Sequence, residues 1–151
     1  MKKLFLLLFV LFSFLSTYAQ ERSVAGIPFI STTEKAVPAL ISLFGQPSSQ
    51  TKEEVVFGKV FYDGEKYDEA KFVFDGKGRL VQGRFRNIFQ NHAKAVVRMN
   101  QIQKKYAIIY KTTQDENPDD GKFYVGYDKD GTRLFTITTF RNRMDFQFGP
   151  F

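Results

Sequence analysis

Four arginines are the residues of this chain best suited to meet another molecule. Strand periodicity puts Gln82, Arg84 and Arg86 on one face of a segment whose opposite face carries Val81, Gly83 and Phe85. Arg141 and Arg143 bracket a turn near the C-terminus. A planar guanidinium offers paired N–H donors that match a carboxylate or phosphate. If the outer face of the sheet is open, Arg84, Arg86, Arg141 and Arg143, with nearby Tyr or Phe rings, form a candidate binding surface for a protein or an anionic envelope component. The same pattern also describes a solvated strand face that discourages edge pairing.

Other chemistries find little support. No cysteine is present, which removes thiolate nucleophiles, disulfides and Cys metal sites, and His92 is the sole histidine, so a Ser/His/Asp triad or an imidazole metal site would have to rest on it alone. Asp115, Glu116, Asn117, Asp119 and Asp120 offer oxygens for a cation, but the calcium-loop spacing fails. Asp120 stands where glycine belongs, and Gly126 where the bidentate glutamate belongs. This stretch and Asp128-Lys129-Asp130-Gly131 read as polar turns. Glu53, Glu54, Asp63 and Glu65 fall at strand ends and turns without singling out a catalytic pair. Neither "DGKGRL" nor "GYDKDG" has the strand–loop–helix setting of a phosphate cradle. The expectation is no catalytic residue, no metal and no cofactor.

The N-terminus addresses location. Lys2 and Lys3 precede an apolar run, Leu4 to Phe12 extended by Phe14 and Leu15, which is too short to span a bilayer as a helix. Ser16-Thr17-Tyr18-Ala19 then places small residues at the −3 and −1 positions of a cleavage after Ala19. Residues 1–19 therefore read as a secretory signal and residues 20–151 as one domain, periplasmic or secreted. Removing Lys2 and Lys3 lowers the net charge from +6 to +4, an ordinary cationic bias that does not point to nucleic acid.

The elements that must position the arginines follow from periodicity. Ala25 to Ile30 reads as an extended lead and Ser31-Thr32-Thr33-Glu34 as a capping box. The helix behind it carries Ala36, Leu40, Leu43 and Phe44 on one face, with Gly45 as its left-handed stop and Pro38 as an awkward interior residue. Glu54 to Tyr62, Lys66 to Asp75 and Arg79 to Asn87 read as strands joined at Asp63-Gly64 and Asp75-Gly76-Lys77-Gly78. Asn87 or Asn91 caps a long helix to about Tyr106, with Ala93, Val96, Met99, Ile102, Tyr106 and Ile109 as its apolar stripe. After a polar loop from Thr112 to Gly121 come strands at Phe123 to Asp128, Thr132 to Phe140 and Arg143 to Phe148. This order predicts an α+β fold: a twisted antiparallel sheet of about six strands, two helices on one face, and a possible tandem αβββ duplication.

The stretch "GIPFISTTEKAVPALISLFGQP", Gly26 to Pro47, resembles the leader and helix that open small envelope domains of the SmpA/OmlA type (the BamE-like fold) and the related tandem fold of the β-lactamase inhibitor protein. The shared features are a Gly-hydrophobic lead, a polar cap, an Ala/Leu-spaced helix and Leu-Phe-Gly-x-Pro. The chain departs from the pattern in lacking a lipobox cysteine and in having one helix in its first unit. The resemblance implies a binding or scaffolding protein. Two functions follow: an exported non-enzymatic binding domain, or a small extracytoplasmic glycan hydrolase using a carboxylate pair. An open aromatic-and-arginine sheet face favours the first, and a concave pocket with two carboxylates in unlike environments the second.

Overall fold

A computed structural model describes residues 22–150; the segment expected as a secretory signal, residues 1–19, lies outside them. The chain is α+β, built on one antiparallel sheet. In chain order the elements are β1 (Ser23–Val24), β2 (Ile27–Pro28), α1 (Thr33–Phe44), β3 (Ser49–Gln50), β4 (Glu54–Phe57), β5 (Val60–Tyr62), β6 (Glu65–Tyr67), β7 (Glu69–Phe74), β8 (Leu80–Ile88), α2 (His92–Tyr106), β9 (Lys111–Asn117), β10 (Gly121–Tyr127), β11 (Arg133–Phe140) and β12 (Arg143–Phe148). The main sheet runs β3-β4-β7-β8-β12-β11-β10-β9. Each half thus enters at an edge and ends at the centre, where β8 and β12 pair in the register Phe85↔Phe146, Arg86↔Asp145 and Arg84↔Gln147.

This corrects the expected six-stranded sheet with two helices on one face and three strands per unit. The main sheet has eight strands, four from each half. The stretch expected as a polar loop, Thr112 to Gly121, is mostly β9, which pairs with β10 at seven positions. Its sequence, KTTQDEN, is almost wholly exposed, so it carries no apolar alternation and is held by main-chain hydrogen bonds. The expected strands 54–62 and 66–75 also divide, at Gly58-Lys59 and at Asp68. The pieces between the breaks form a separate β5–β6 hairpin turned by Asp63-Gly64, both at positive φ, as a tight I′-type turn requires.

Nor do two helices alone form the cover. The β1–β2 hairpin lies on β8, so closely that a Cβ on Gly83 would come within 2.6 Å of Val24. The β5–β6 hairpin stacks Tyr62 on Phe85 at 4.1 Å. α1 joins the core through Ala36, Val37 and Leu40, and its Phe44 meets Phe57, Phe72 and Phe85. Leu43, expected inward, is exposed. α1 caps at Thr32, without a side-chain cap bond, and Ser31 Oγ donates to the Pro28 carbonyl instead of forming the expected box. The helix stops at Gly45 with φ 82° and ψ −158°, a region open essentially to glycine alone, in place of the expected left-handed cap. Pro38 is accommodated on the solvent side of α1.

Of the two expected caps, α2 begins at Asn91, whose Oδ1 accepts the Lys94 N–H at 3.0 Å. Its buried stripe is Ala95, Met99, Ile102 and Tyr106, leaving Ala93 and Ile109 exposed. Tyr106 packs on Phe135 and Phe146. Among the described residues no helix is long and apolar enough to cross a membrane.

Candidate binding surface

Alternation along the central strands divides the sheet sharply. Ala70, Phe72, Phe74, Phe85, Met144, Phe146 and Phe148 are buried on the inner face. The intervening residues form cross-strand rows on the outer face: Lys71, Arg84 and Gln147 in one row, Glu69, Arg86 and Asp145 in the next, and Ile88, Arg143 and Phe140 at the end of the sheet.

The four arginines therefore share the outer side of the molecule but differ in their surroundings. Arg86 holds Asp145 with two hydrogen bonds, 2.6 and 2.7 Å, and Glu69 lies 4.0 Å away. The bond to Asp145 raises the Arg86 pKa further, outweighing partial burial. Arg84 donates to Glu69 at 2.7 Å. On the same face Lys71 pairs with Glu54. The middle of the surface is thus a neutralised ladder of ion-paired side chains.

Arg141 and Arg143 are different. Among the described residues neither guanidinium has an ion-pair partner. Both stack on one ring: the Arg141 and Arg143 guanidinium carbons lie 5.2 and 5.3 Å from the Phe140 centroid. Phe140 is 43% exposed and Ile88, across from Arg143, is 52% exposed. The Arg141-Asn142 turn is pinned from below. His92 Nδ1 donates to the Arg141 carbonyl at 2.6 Å, and the Asn142 amide donates to the Phe89 carbonyl at 2.7 Å. An open recess beside Phe140 is lined by His92, Asp119, Asp120 and Arg141. The sole histidine thus orients a turn.

The remaining polar candidates are structural. Asp115 and Asn117 alternate with Glu116 along β9, so the set does not converge, and among the described residues no three His, Cys, Asp or Glu side chains are placed to hold a metal. Asp128 Oδ1 accepts the Asp130 and Thr132 N–H groups of its turn. Glu65 is bound by Arg98 and Lys105; burial raises its pKa, but those two cations outweigh it and the net direction is down. Asp63 accepts the Tyr106 hydroxyl at 2.7 Å. Asp63 and Asp128 do line one recess of about 340 Å³ together with Tyr62, Tyr106 and Tyr110.

Phe140 and Ile88 were not singled out from sequence. The signal available was parity: both are large apolar residues at outward positions next to turn residues. The partners of Arg84 and Arg86 were equally hidden, because only strand register places Glu69 and Asp145 beside them. No protein-family model matches the chain, nor does any curated protein or any solved structure.

Proposed function

We propose that this chain is an exported, non-enzymatic binding domain of the cell envelope, periplasmic or secreted, that recognises an acidic protein surface through the end of its outer sheet face. The observation that carries this reading is Phe140, exposed and in contact with both Arg141 and Arg143, neither of which has an ion-pair partner among the described residues. Aromatic and arginine side chains dominate the binding energy of protein interfaces, and rigid stacking on the ring reduces the side-chain entropy lost on docking. Arg84 and Arg86, ion-paired to Glu69 and Asp145 within the sheet, serve as the floor beside this anchor. The resemblance of Gly26 to Pro47 to binding and scaffolding domains of the envelope points the same way.

The test is capture from an envelope fraction with the tagged full chain, identified by mass spectrometry. Phe140→Ala combined with Arg143→Glu is expected to reduce recovery of the specific partner by at least about tenfold, with the remaining binding weakened further by salt. Unchanged capture by this variant sinks the proposal.

The hydrolase reading draws on one observation, the recess that holds Asp63 and Asp128. A general acid of that chemistry needs a desolvated carboxyl. The Asp63 side chain is instead 53% exposed, and Asp128 is tied to its own turn. Glycan cleavage abolished by Asp63→Asn would restore this reading over the one proposed.

A further inference from the structure

The segment Lys104-Lys105-Tyr106-Ala107-Ile108-Ile109-Tyr110-Lys111 closes the far end of α2, and it breaks the usual chemistry of a tight turn. Turns favour Gly, Asn, Asp and Ser. Here two adjacent isoleucines occupy the tip, with Ile108 86% and Ile109 71% exposed. The turn is rigid. The Ala107 N–H donates to the Gln103 carbonyl, and the Ile109 and Tyr110 N–H groups both donate to the Tyr106 carbonyl, at 3.1 and 2.9 Å. Its base is anchored, since Tyr106 is buried and Tyr110 stacks on Tyr106 and meets Phe135 edge to face. The isoleucines are therefore held outward by a fixed frame.

Among the described residues, the exposed charges flanking the tip without an ion-pair or turn partner are cations. Lys104 and Lys111 are exposed and have no ion-pair partner among the described residues. Lys105 faces Asp63 and Glu65, and Arg98 also faces Glu65, so those two carboxylates are offset by neighbouring cations. Asp128, which shares a recess with Ile109, is bonded to the N–H groups of its own turn. An apolar tip, tyrosines at its base and lysines around it form the layered pattern that matches a bilayer boundary: hydrocarbon, interface and anionic headgroups in turn.

We infer that the Ala107–Tyr110 turn docks reversibly on a lipid surface bearing anionic headgroups, inserting Ile108 and Ile109 while Lys104 and Lys111 meet the headgroups. The occupant is a membrane and not a protein pocket because the two exposed isoleucines sit on a four-residue turn flanked in the chain by exposed lysines, Lys104 and Lys111, that have no ion-pair partner among the described residues, which suits an apolar layer bordered by anionic headgroups. This site lies at the opposite end of α2 from His92 and the Arg141 turn, a separation of about 22 Å for its 15 residues. It stands independently of the sheet-face proposal, and a bound membrane would leave Phe140 accessible.

The chain contains no tryptophan, so Ile108→Trp supplies a single indole that reports this position alone. Vesicles of phosphatidylcholine with phosphatidylglycerol are expected to shift its emission to the blue, and lipids brominated in the acyl chain to quench it. In co-sedimentation, Ile108→Ser with Ile109→Ser is expected to lose at least about tenfold in partitioning. Lys104→Gln with Lys111→Gln should lose about fivefold per lysine on the anionic vesicles and nothing on phosphatidylcholine alone. All variants are made in the full chain, so anything residues 1–21 contribute is common to them. The substituted positions are exposed, and far-UV circular dichroism verifies folding. Emission unmoved by either vesicle, or serine variants that sediment like the parent, overturns the inference; protection of the loop by a protein without lipid does the same.

Discussion

The two faces of β8 and β12 are built by the same strands, yet they are held together by different physics. On the inner face Phe85 meets Phe44, Tyr62, Tyr67, Phe72 and Phe148 in one continuous aromatic cluster. On the outer face, one residue away in sequence, Arg84 and Arg86 are matched to Glu69 and Asp145. The inner face gains from burial whatever the detailed geometry. The outer face gains only where a donor finds its acceptor, and it runs out of acceptors at Arg141 and Arg143. The contrast separates charge that organises the fold from charge left available to a partner.

The largest effect should come from opening the inner face. Phe85→Ala removes the ring at the centre of the cluster and is expected to cost about 3–5 kcal/mol, measured by urea unfolding. A cost under about 1 kcal/mol would mean that the aromatic cluster is not the common core of the two halves.

Alkali should attack the inner face next. Burial pushes the Tyr62 hydroxyl up to about 12, and burial likewise raises Tyr67 and Tyr106. A raised folded pKa means that the unfolded chain releases its proton first, near pH 10. The Tyr62 contribution, roughly 2 kcal/mol, is therefore complete below pH 10 and is lost as pH rises toward about 12. Tyr62→Phe should flatten the alkaline limb of the stability profile, and an unaltered limb would refute this source of the loss.

On the outer face, Arg86→Ala leaves Asp145 without its two bonds and is expected to cost about 1–3 kcal/mol. A double-mutant cycle with Asp145→Ala isolates the pair; a coupling near zero would erase the distinction between Arg86 and the free arginines. Acid probes the same kind of bond at the β7–β8 turn. The Arg79 side chain and main-chain N–H bonds to Asp75 hold its carboxyl down at about 2, below its ordinary 3.8. A lowered folded pKa gives stability that is present above pH 4 and lost as pH falls toward 2. Asp75→Asn should therefore reduce the acid slope in that window.

The smallest effect is the most telling. Arg143→Ala, at a guanidinium without an ion-pair partner among the described residues, is expected to change stability by no more than about 0.5 kcal/mol, while partner capture falls. A stability loss as large as that of Arg86→Ala would make Arg143 a structural residue and remove the contrast on which the proposed function stands.

Local chemistry alone determined a good deal of this molecule. Asp63-Gly64 at positive φ, the Asn91 cap and the alternation that puts Arg84 and Arg86 opposite Phe85 all depend on residues a few positions apart, so they were legible in the sequence. β9 was not, because a strand exposed on both sides carries no apolar period and exists through the main-chain bonds of β10. The breaks at Gly58-Lys59 and Asp68 were not legible either, since alternation continues through segments that the fold turns into a separate hairpin. The arginines show the boundary most clearly. Sequence parity put Arg84 and Arg86 on one strand face, and turn chemistry put Arg141 and Arg143 on either side of the final turn. Only register, which brings Asp145 from 59 residues away to Arg86 and sets Phe140 beside both Arg141 and Arg143, decided which charges are paired and which, among the described residues, have no ion-pair partner, because pairing energy depends on neighbours across strands and not along the chain.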